Sequence, residues 1–508
     1  MESVWFATHR VRVPGHPPAL NGTQFDTAVV GAGLTGLTTA LLLARAGQRV
    51  LVLEARHVGF LATGRTTAKL SLLQGTTLSA IAAHQPPDIL RAYVTAQREG
   101  QAWLVRFLEQ RGVPHQRRDA YTYATTPPGE EALRAEADAS ATADLPLTWT
   151  GRTELPFEAS ALLLPDQVQL HPLLVLDALL RELVDHGGVV VEGARVTDVR
   201  STPSGVEVES NRGTVAADQV VLATGAPIVD RGGHFAKLVA LRSYATTHRV
   251  PGPVPQGMYL SADEPTRSLR TFDVDHSAPD APGASGAERR QLLIVGGNGH
   301  VSGRSDSPAE AVVGLLAWTQ EHFPGAEPLH AWSAQDYRSI DRVPYVGPLS
   351  HSAGRVHVAT GYNKWGMTNA VAAALSLTED LLGGSMPWAD ALRERRPTVA
   401  GVLGAVAPNA AVAGGLVKGW VDAELHPLPP EPPDEGGGVV GRGGDGLPVG
   451  VATVGGHYCR VRAVCTHLGG VLAWNDAEKS WDCPLHGSRF GPTGERLEGP
   501  AVDDLDPA

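Results

Sequence analysis

Apolar and polar residues along this chain follow two different periods, and the switches between them outline its elements. TAVV is a short β-branched run, GAGLTG a tight turn, and LTTALLLARAG is apolar on all sides, as a buried helix is. RVLVLE returns to a strand pattern, and Gly47 closes the helix before it. Residues 27–54 therefore predict a βαβ unit that opens an α/β sheet. Further on, GVVVEGARVTDV, QVVLAT and QLLIVGG predict strands. RAYVTAQREGQAWLVRFLEQRG and HPLLVLDALLRELVDHG predict helices, and NAVAAALSLTEDLLGG predicts a last helix. The stretch 271–290, rich in Asp, Pro, Gly and Ser, reads as a surface loop. Residues 425–446 are Pro- and Gly-rich, and beyond them short strand patterns and turns carry no helical period. The expected division is a large unit over 1–405, a linker over 406–429 and a small all-β domain over 430–508.

Length and charge narrow the class. A prior of about 150 residues per domain divides 508 residues into roughly three units. A net charge of −12 argues against nucleic acid or an anionic membrane surface as partner, since both attract basic patches. No apolar run reaches the ~18–20 residues of a membrane span, and the N-terminus lacks a signal pattern. A soluble, cytoplasmic protein is expected. The three cysteines, Cys459, Cys465 and Cys483, are too few for a disulfide framework, and their clustering points to a local metal or redox site.

That site has a definite pattern. Cys465-Thr-His467-Leu-Gly-Gly is followed by Cys483-Pro-Leu-His486-Gly-Ser, with fifteen residues, Leu468 to Asp482, between His467 and Cys483. Each half supplies one thiolate and one imidazole, so two similar loops can grip one cluster. A Rieske centre needs that set, with two His on one iron and two Cys on the other. The rival is a Cys₂His₂ zinc site, but zinc fingers pair Cys with Cys and His with His. Trp481 suits a hydrophobic shield, and Cys459 reads as a buried small hydrophobe.

A second motif lies near the N-terminus. Gly31-x-Gly33-x-x-Gly36 sits between strand and helix, with Glu54 ending the next strand. Gly31 permits the turn, Gly33 lets a pyrophosphate approach the backbone, and Gly36 lets helix and strand pack. Glu54 can accept from both ribose hydroxyls and repels a 2′-phosphate. DQVVLATG reads as a second pyrophosphate-side strand end, and Gly361-Tyr-Asn-Lys-Trp-Gly366-Met367-Thr368 precedes an Ala-rich helix whose N-terminus can face a flavin pyrimidine. There is no second GxGxxG–helix unit for a separate nicotinamide nucleotide, and Gly296-Gly-Asn-Gly299 reads as an ordinary strand end. FAD is therefore expected rather than NAD.

Over residues 1 to about 395 these motifs, with the DRVPYVGP stretch, resemble the D-amino-acid oxidase-like FAD family that includes glycine and sarcosine oxidases. Residues 430–508 resemble the Rieske family, and the combination resembles bacterial FAD oxidoreductases with a fused Rieske domain. The resemblance implies a Rossmann-type α/β FAD-binding domain with an inserted antiparallel-sheet α+β substrate domain, followed by a small all-β Rieske domain. It implies FAD and a [2Fe–2S] cluster as cofactors. It also implies that Thr66 and Thr67 face the flavin phosphates and that Val196 packs on the adenine. High-potential Rieske proteins add a disulfide between the cluster loops; Gly470 and Leu485 stand at those places here, so that bridge cannot form. Ser488 stands where a hydroxyl donates to a cluster sulfide, and Phe490 replaces a tyrosine. One donor kept and one lost points to the lower or middle part of the range of ~−150 to +300 mV.

One departure bears on substrate. Asp336 stands where amino-acid-oxidising relatives place a carboxylate-clamping arginine. Asp336 could hold an amine cation, or it could cap a turn or pair with Arg338. Lys364 could stabilise negative charge at the flavin N1–O2 edge or simply be exposed. His171 and His300 read as structural, and Trp365 as packing. The expected activity is oxidation of a small organic donor, at a C–N bond, with electrons leaving through the cluster to an unidentified acceptor. The alternatives are an electron-transfer component serving a partner oxygenase, or a flavin and cluster redox sensor.

Overall fold

The computed structural model describes residues 1–15, 19–229, 233–274, 291–396 and 398–508. Val30 is followed by the turn at Gly31, where φ is +106° and an added Cβ would lie 2.6 Å from the Ala223 carbonyl oxygen, so only glycine fits. The helix Leu34–Arg45 then returns the chain to the strand Val50–Leu53, parallel to Gln24–Val30. The sheet continues with Gly213–Gly225 and Val356–Thr360 on one side and Val189–Val191 on the other, all parallel. These central strands are apolar on both faces, as a sheet covered by helices must be. Helices Leu34–Arg45, Pro172–Asp185 and Gly366–Leu381 contribute to one large core against it.

A second, nine-stranded sheet runs Glu327–Ser339, Leu238–Arg249, Gln291–Val301, Arg267–Asp273, Met258–Ser261, His115–Ala124, Ser160–Leu170 and Lys69–Leu70, with Thr148–Thr150 beside Ser160–Leu170. It is antiparallel except where Met258–Ser261 pairs His115–Ala124. Residues 271–273 of the expected loop belong to a strand here; 275–290 lie outside the described residues. Gly296–Gly299 is strand interior, because Gln291–Val301 continues past it.

The last domain has a three-stranded sheet over Gly438–Arg442, Pro448–Val454 and His457–Arg462, and a four-stranded sheet over Ala473–Asn475, Ser480–Asp482, Arg489–Phe490 and Arg496–Glu498. Trp481 and Phe490 are fully buried in its core, and Cys459 is buried on the strand His457–Arg462. The stretch 406–429 departs from the expected linker: a helix, Val399–Leu425, runs through most of it. Ala-rich composition favours a helix despite the glycines, and packing secures it. Val412 and Leu416 lie against the all-β core, Trp420 Nε1 donates to the Gly469 carbonyl at 3.1 Å, and Asn409 Nδ2 donates to the Ala236 carbonyl at 3.0 Å. Among the described residues no helix is long and apolar enough to cross a membrane.

Candidate functional site

Where the two large sheets meet, a cavity of about 590 Å³ opens. Its walls include Gly31, Gly33, Glu54, Thr66, Thr67, Val196, Gly361, Gly366 and Met367, together with Asp336 and Lys364. Two residues expected beside the cofactor lie behind the wall. Gly36 packs the helix onto the turn, where a Cβ would sit 1.9 Å from the Gly31 carbonyl oxygen. The Thr368 hydroxyl is turned inward, accepting from Gln74 Nε2 at 3.0 Å within a polar network that includes Gln97 and Asn369. Position 368 is the third residue of the helix beginning at Gly366, and helical rotation takes it off the open end.

The cradle fits FAD. Gly33 faces the cavity, and a Cβ there would meet within 4 Å only Thr63 Oγ1, at 3.3 Å, so the space beside it is left for a ligand. The helix following it has no side-chain cap at Gly33, and its first turn is presented to the cavity. Glu54 accepts from the Ala32 and Arg56 backbone N–H groups at 2.9 and 2.8 Å, which fixes the carboxylate at the strand end. Burial raises its pKa against these two donors, so further donors such as ribose hydroxyls would be welcome. Thr66 and Thr67 follow a short 3-10 turn, Thr63–Arg65, and Arg270 Nη1 ties down the Thr67 and Ala68 carbonyls at 2.8 Å each. No single motif could have announced Arg270; it is an arginine on a strand two hundred residues away.

Asp336 lies on the cavity wall at the strand Glu327–Ser339. One carboxylate oxygen accepts from the Lys364 backbone N–H, which holds the Gly361 turn closed, and the other is buried without a partner. Burial pushes the Asp336 carboxyl up to about 7, with Lys364 and Arg338 pulling the other way. It therefore caps a turn and also keeps one free acceptor. Lys364 is exposed, in a left-handed conformation, with Nζ alongside Gly299. Gly296, Gly297 and Gly299 line the cavity, a floor without side chains. Neither His171 nor His300 lines it: His171 contacts Thr8 at 3.0 Å and His300 contacts the Tyr244 hydroxyl at 3.0 Å.

The second site lies at the tips of two loops of the small domain. Cys465 and Cys483 are close enough to share a proton. The Cys465 thiol is pushed down to about 7 by its hydrogen bond with Cys483, and the Cys483 thiol is raised by the same contact. The His467 and His486 rings lie with centroids 5.2 Å apart at 88°. His486 Nδ1 is buried and has no partner, an orphan that suits a metal ligand. A thiol pair beside an imidazole pair is the donor set of a two-iron cluster. Ser488 is within hydrogen-bond reach of Cys465, and its oxygen accepts from the Ala501 N–H at 3.1 Å.

The FAD dependent oxidoreductase family matches residues 26–379, and the Rieske [2Fe-2S] domain matches residues 438–507. The chain belongs to the FAD dependent oxidoreductase family. It carries a Rieske domain at its C-terminal end, so FAD and a [2Fe–2S] cluster are its cofactors. The chain is 29% identical over 499 residues to the Rieske 2Fe-2S iron-sulfur protein YhfW of Bacillus subtilis (strain 168), covering 97% of this chain and 95% of that one. A cytochrome b6-f complex iron-sulfur subunit 1 of Nostoc sp. is 51% identical over 45 residues, 9% of this chain and 25% of that one. In fold, the chain is similar to glycine oxidase from Geobacillus kaustophilus, with a TM-score of 0.59, 20% identity, and coverage of 72% of this chain and 96% of that one.

The two sites are joined by a buried interface. Leu497, Glu498 and Gly499 of the Rieske domain line the flavin cavity itself. Arg242 Nε, on the strand Leu238–Arg249, meets Glu478 Oε2 at 3.0 Å, and Arg489 Nη2 meets the same oxygen at 3.0 Å. Glu498 lies 3.7 Å from Arg242 and 3.4 Å from Arg489, and Asp482 completes the group at 3.0 Å from Arg489. Burial alone would raise the Glu478 carboxyl, but Arg242 and Arg489 overcome it and hold it down at about 2. Gln335 Nε2 donates to the Gly487 carbonyl at 2.8 Å and to the Tyr337 hydroxyl at 3.0 Å. Phe235 stands edge-on to His486 and His467, at 5.4 and 6.3 Å between centroids.

Proposed function

We propose that this oxidoreductase removes electrons from a small organic donor at a C–N bond, on its flavin, and that they leave one at a time through the cluster of the same chain. The observation that carries this reading is the position of Tyr337. This residue belongs both to the wall of the flavin cavity and to the small gap that His467 and His486 share with Phe235 and Leu238. One buried residue thus borders the compartments of both cofactors. A flavin accepts two electrons together and a Rieske cluster takes one, so adjacency of this kind suits an internal outlet. An open cavity beyond the flavin motif, lined by Leu260, Ser261, Thr266 and Ser268, supports a small-molecule substrate over a component fed only by a partner protein.

Asp336 bears on the donor. A carboxylate with one unpartnered buried oxygen favours a cation and repels a second carboxylate. Simple amines are therefore the expected donors, ahead of the matching α-amino acids. The test is an anaerobic screen of amine and amino-acid pairs, following flavin bleaching and the Rieske EPR signal in one sample. Amines should bleach the flavin and then bring up the cluster signal. Bleaching without any cluster signal would refute the internal outlet, and faster reduction by amino acids would refute the role given to Asp336. Asp336→Arg should shift preference toward amino acids, and Asp336→Asn should weaken amine use.

A further inference from the structure

The chain has five lysines, Lys69, Lys237, Lys364, Lys418 and Lys479. Lys69 alone is buried, at 6% exposure, and it lies on the wall of the flavin cavity directly after the Thr66–Thr67 segment. A buried ammonium ordinarily sits beside a carboxylate, because desolvating an unpaired charge is costly. Among the described residues Lys69 has none: Nζ donates to the Tyr259 carbonyl at 2.6 Å and to the Ser268 hydroxyl at 2.7 Å, both uncharged. Opposite it in register stands Gln169. The charged group whose field reaches it is Arg270, a second buried cation, fixed on the carbonyls of Thr67, Ala68 and Leu170. Tyr123 and Tyr259, on other strands of the same sheet, have phenols raised above their ordinary range by burial and stay neutral. Glu264 lines the same cavity from the turn after Met258–Ser261.

We infer that Lys69 is the proton acceptor for an ammonium donor in this cavity, a catalytic role that rests on the C–N reading above. Two of the three substituent positions on Nζ are spent on Tyr259 and Ser268. The third is left for a lone pair, and Ser268 and Lys69 share the cavity wall. Burial and Arg270 together hold the Lys69 amine well below its ordinary value, as a base working near neutrality needs. In the step assigned to it, an N–H bond of the substrate ammonium breaks and a new N–H bond forms on Lys69. The substrate nitrogen keeps its electron pair and becomes a free amine. Only then can the carbon beside it give up a hydride to the flavin, because an ammonium nitrogen has no lone pair to stabilise the resulting iminium. Asp336, also on the wall, would hold the cation before this transfer.

Two measurements on the holoprotein test the assignment. With lysine labelled at ¹³Cε, five lysines give five signals, and Lys69→Gln identifies that of Lys69. Its signal should titrate at least two pH units below the ordinary lysine value of about 10.4. Titration at the ordinary value would overturn the proposal whatever the substrate. In the second measurement, anaerobic flavin reduction by an amine is followed from pH 6 to pH 11 in the wild type and in Lys69→Met, a variant of similar volume that should retain stoichiometric FAD. The variant should be slower by about 100-fold near pH 7 and recover to within about threefold where the amine is already deprotonated. A loss of the same size at every pH would mark Lys69 as structural and overturn the proposal. If no amine reduces the flavin while the Lys69 signal still titrates low, the C–N reading has failed and the role goes with it. The NMR result separates that failure from an ordinary, charged lysine.

Discussion

The cluster site and the flavin cavity hold redox groups in opposite ways. The four residues proposed as cluster ligands come from a segment running from Cys465 to His486, two loops of one small domain. The flavin cavity takes its walls from Val30 through Gly499, nearly the whole length of the chain. A local site can be carried intact into another protein. A distributed site exists only once the fold is complete. The two therefore differ in how a single substitution acts. In the local site a change removes a ligand; in the distributed one it either removes ligand space or disturbs packing.

Removing one ligand gives the largest contrast. Cys483→Ser should abolish the cluster's visible spectrum and iron content while FAD stays bound, because no flavin contact depends on that thiol. Gly33→Val should do the reverse, leaving iron intact and the flavin unbound, since the space it fills is the ligand's own. Iron and flavin assays on the two purified variants check this, and loss of both cofactors in either one would break the comparison. Gly36→Ala sharpens it: there the added methyl meets the Gly31 carbonyl, and the expected result is a fall in the thermal midpoint of the flavin domain even without FAD.

The interface between the regions should show an intermediate effect. Glu478→Gln removes the nearer of the two carboxylates that Arg242 and Arg489 share, leaving them Glu498 and Asp482, and the cost stays at or below that of a fully broken buried pair, about 3–5 kcal/mol. Denaturant unfolding of the holoprotein measures this. The pH dependence follows in sign: the Glu478 carboxyl is depressed in the folded chain, so its stabilisation is present above the unfolded value of about 4.3 and lost as pH falls toward about 2. In the wild type, stability should decline over that window, and Glu478→Gln should flatten the decline.

The smallest effect is expected at the third cysteine. Cys459 shares the small domain with the ligands, but it is a buried hydrophobe on a strand, its thiol 3.8 Å from the His457 carbonyl. Cys459→Ala should cost about 1 kcal/mol and leave iron content and the EPR line shape untouched. A change in either would mean that the locality of the cluster site has been drawn too narrowly.

Sequence alone determined the parts whose chemistry is written in adjacent residues. Cys465, His467, Cys483 and His486 stand out as candidate ligands because thiolates and imidazoles at that spacing have few other uses. Gly31, Gly33 and Glu54 stand out as candidate cofactor contacts because a strand, a tight turn and a helix must follow one another in that order. Most of the linker expected over 406–429 lies in the helix Val399–Leu425, whose glycines weaken the sequence pattern and which Trp420, Val412 and Leu416 pack against another domain. Thr368 was placed beside the cofactor, because a motif gives order along the chain but not the rotation of the helix that carries it. Only the tertiary structure put Arg242 against Glu478, Tyr337 beside both compartments, and Lys69 in a cavity without a carboxylate partner. Each of those depends on contacts between residues far apart in sequence, and burial, which sets the cost of a charge, is decided by everything that surrounds it.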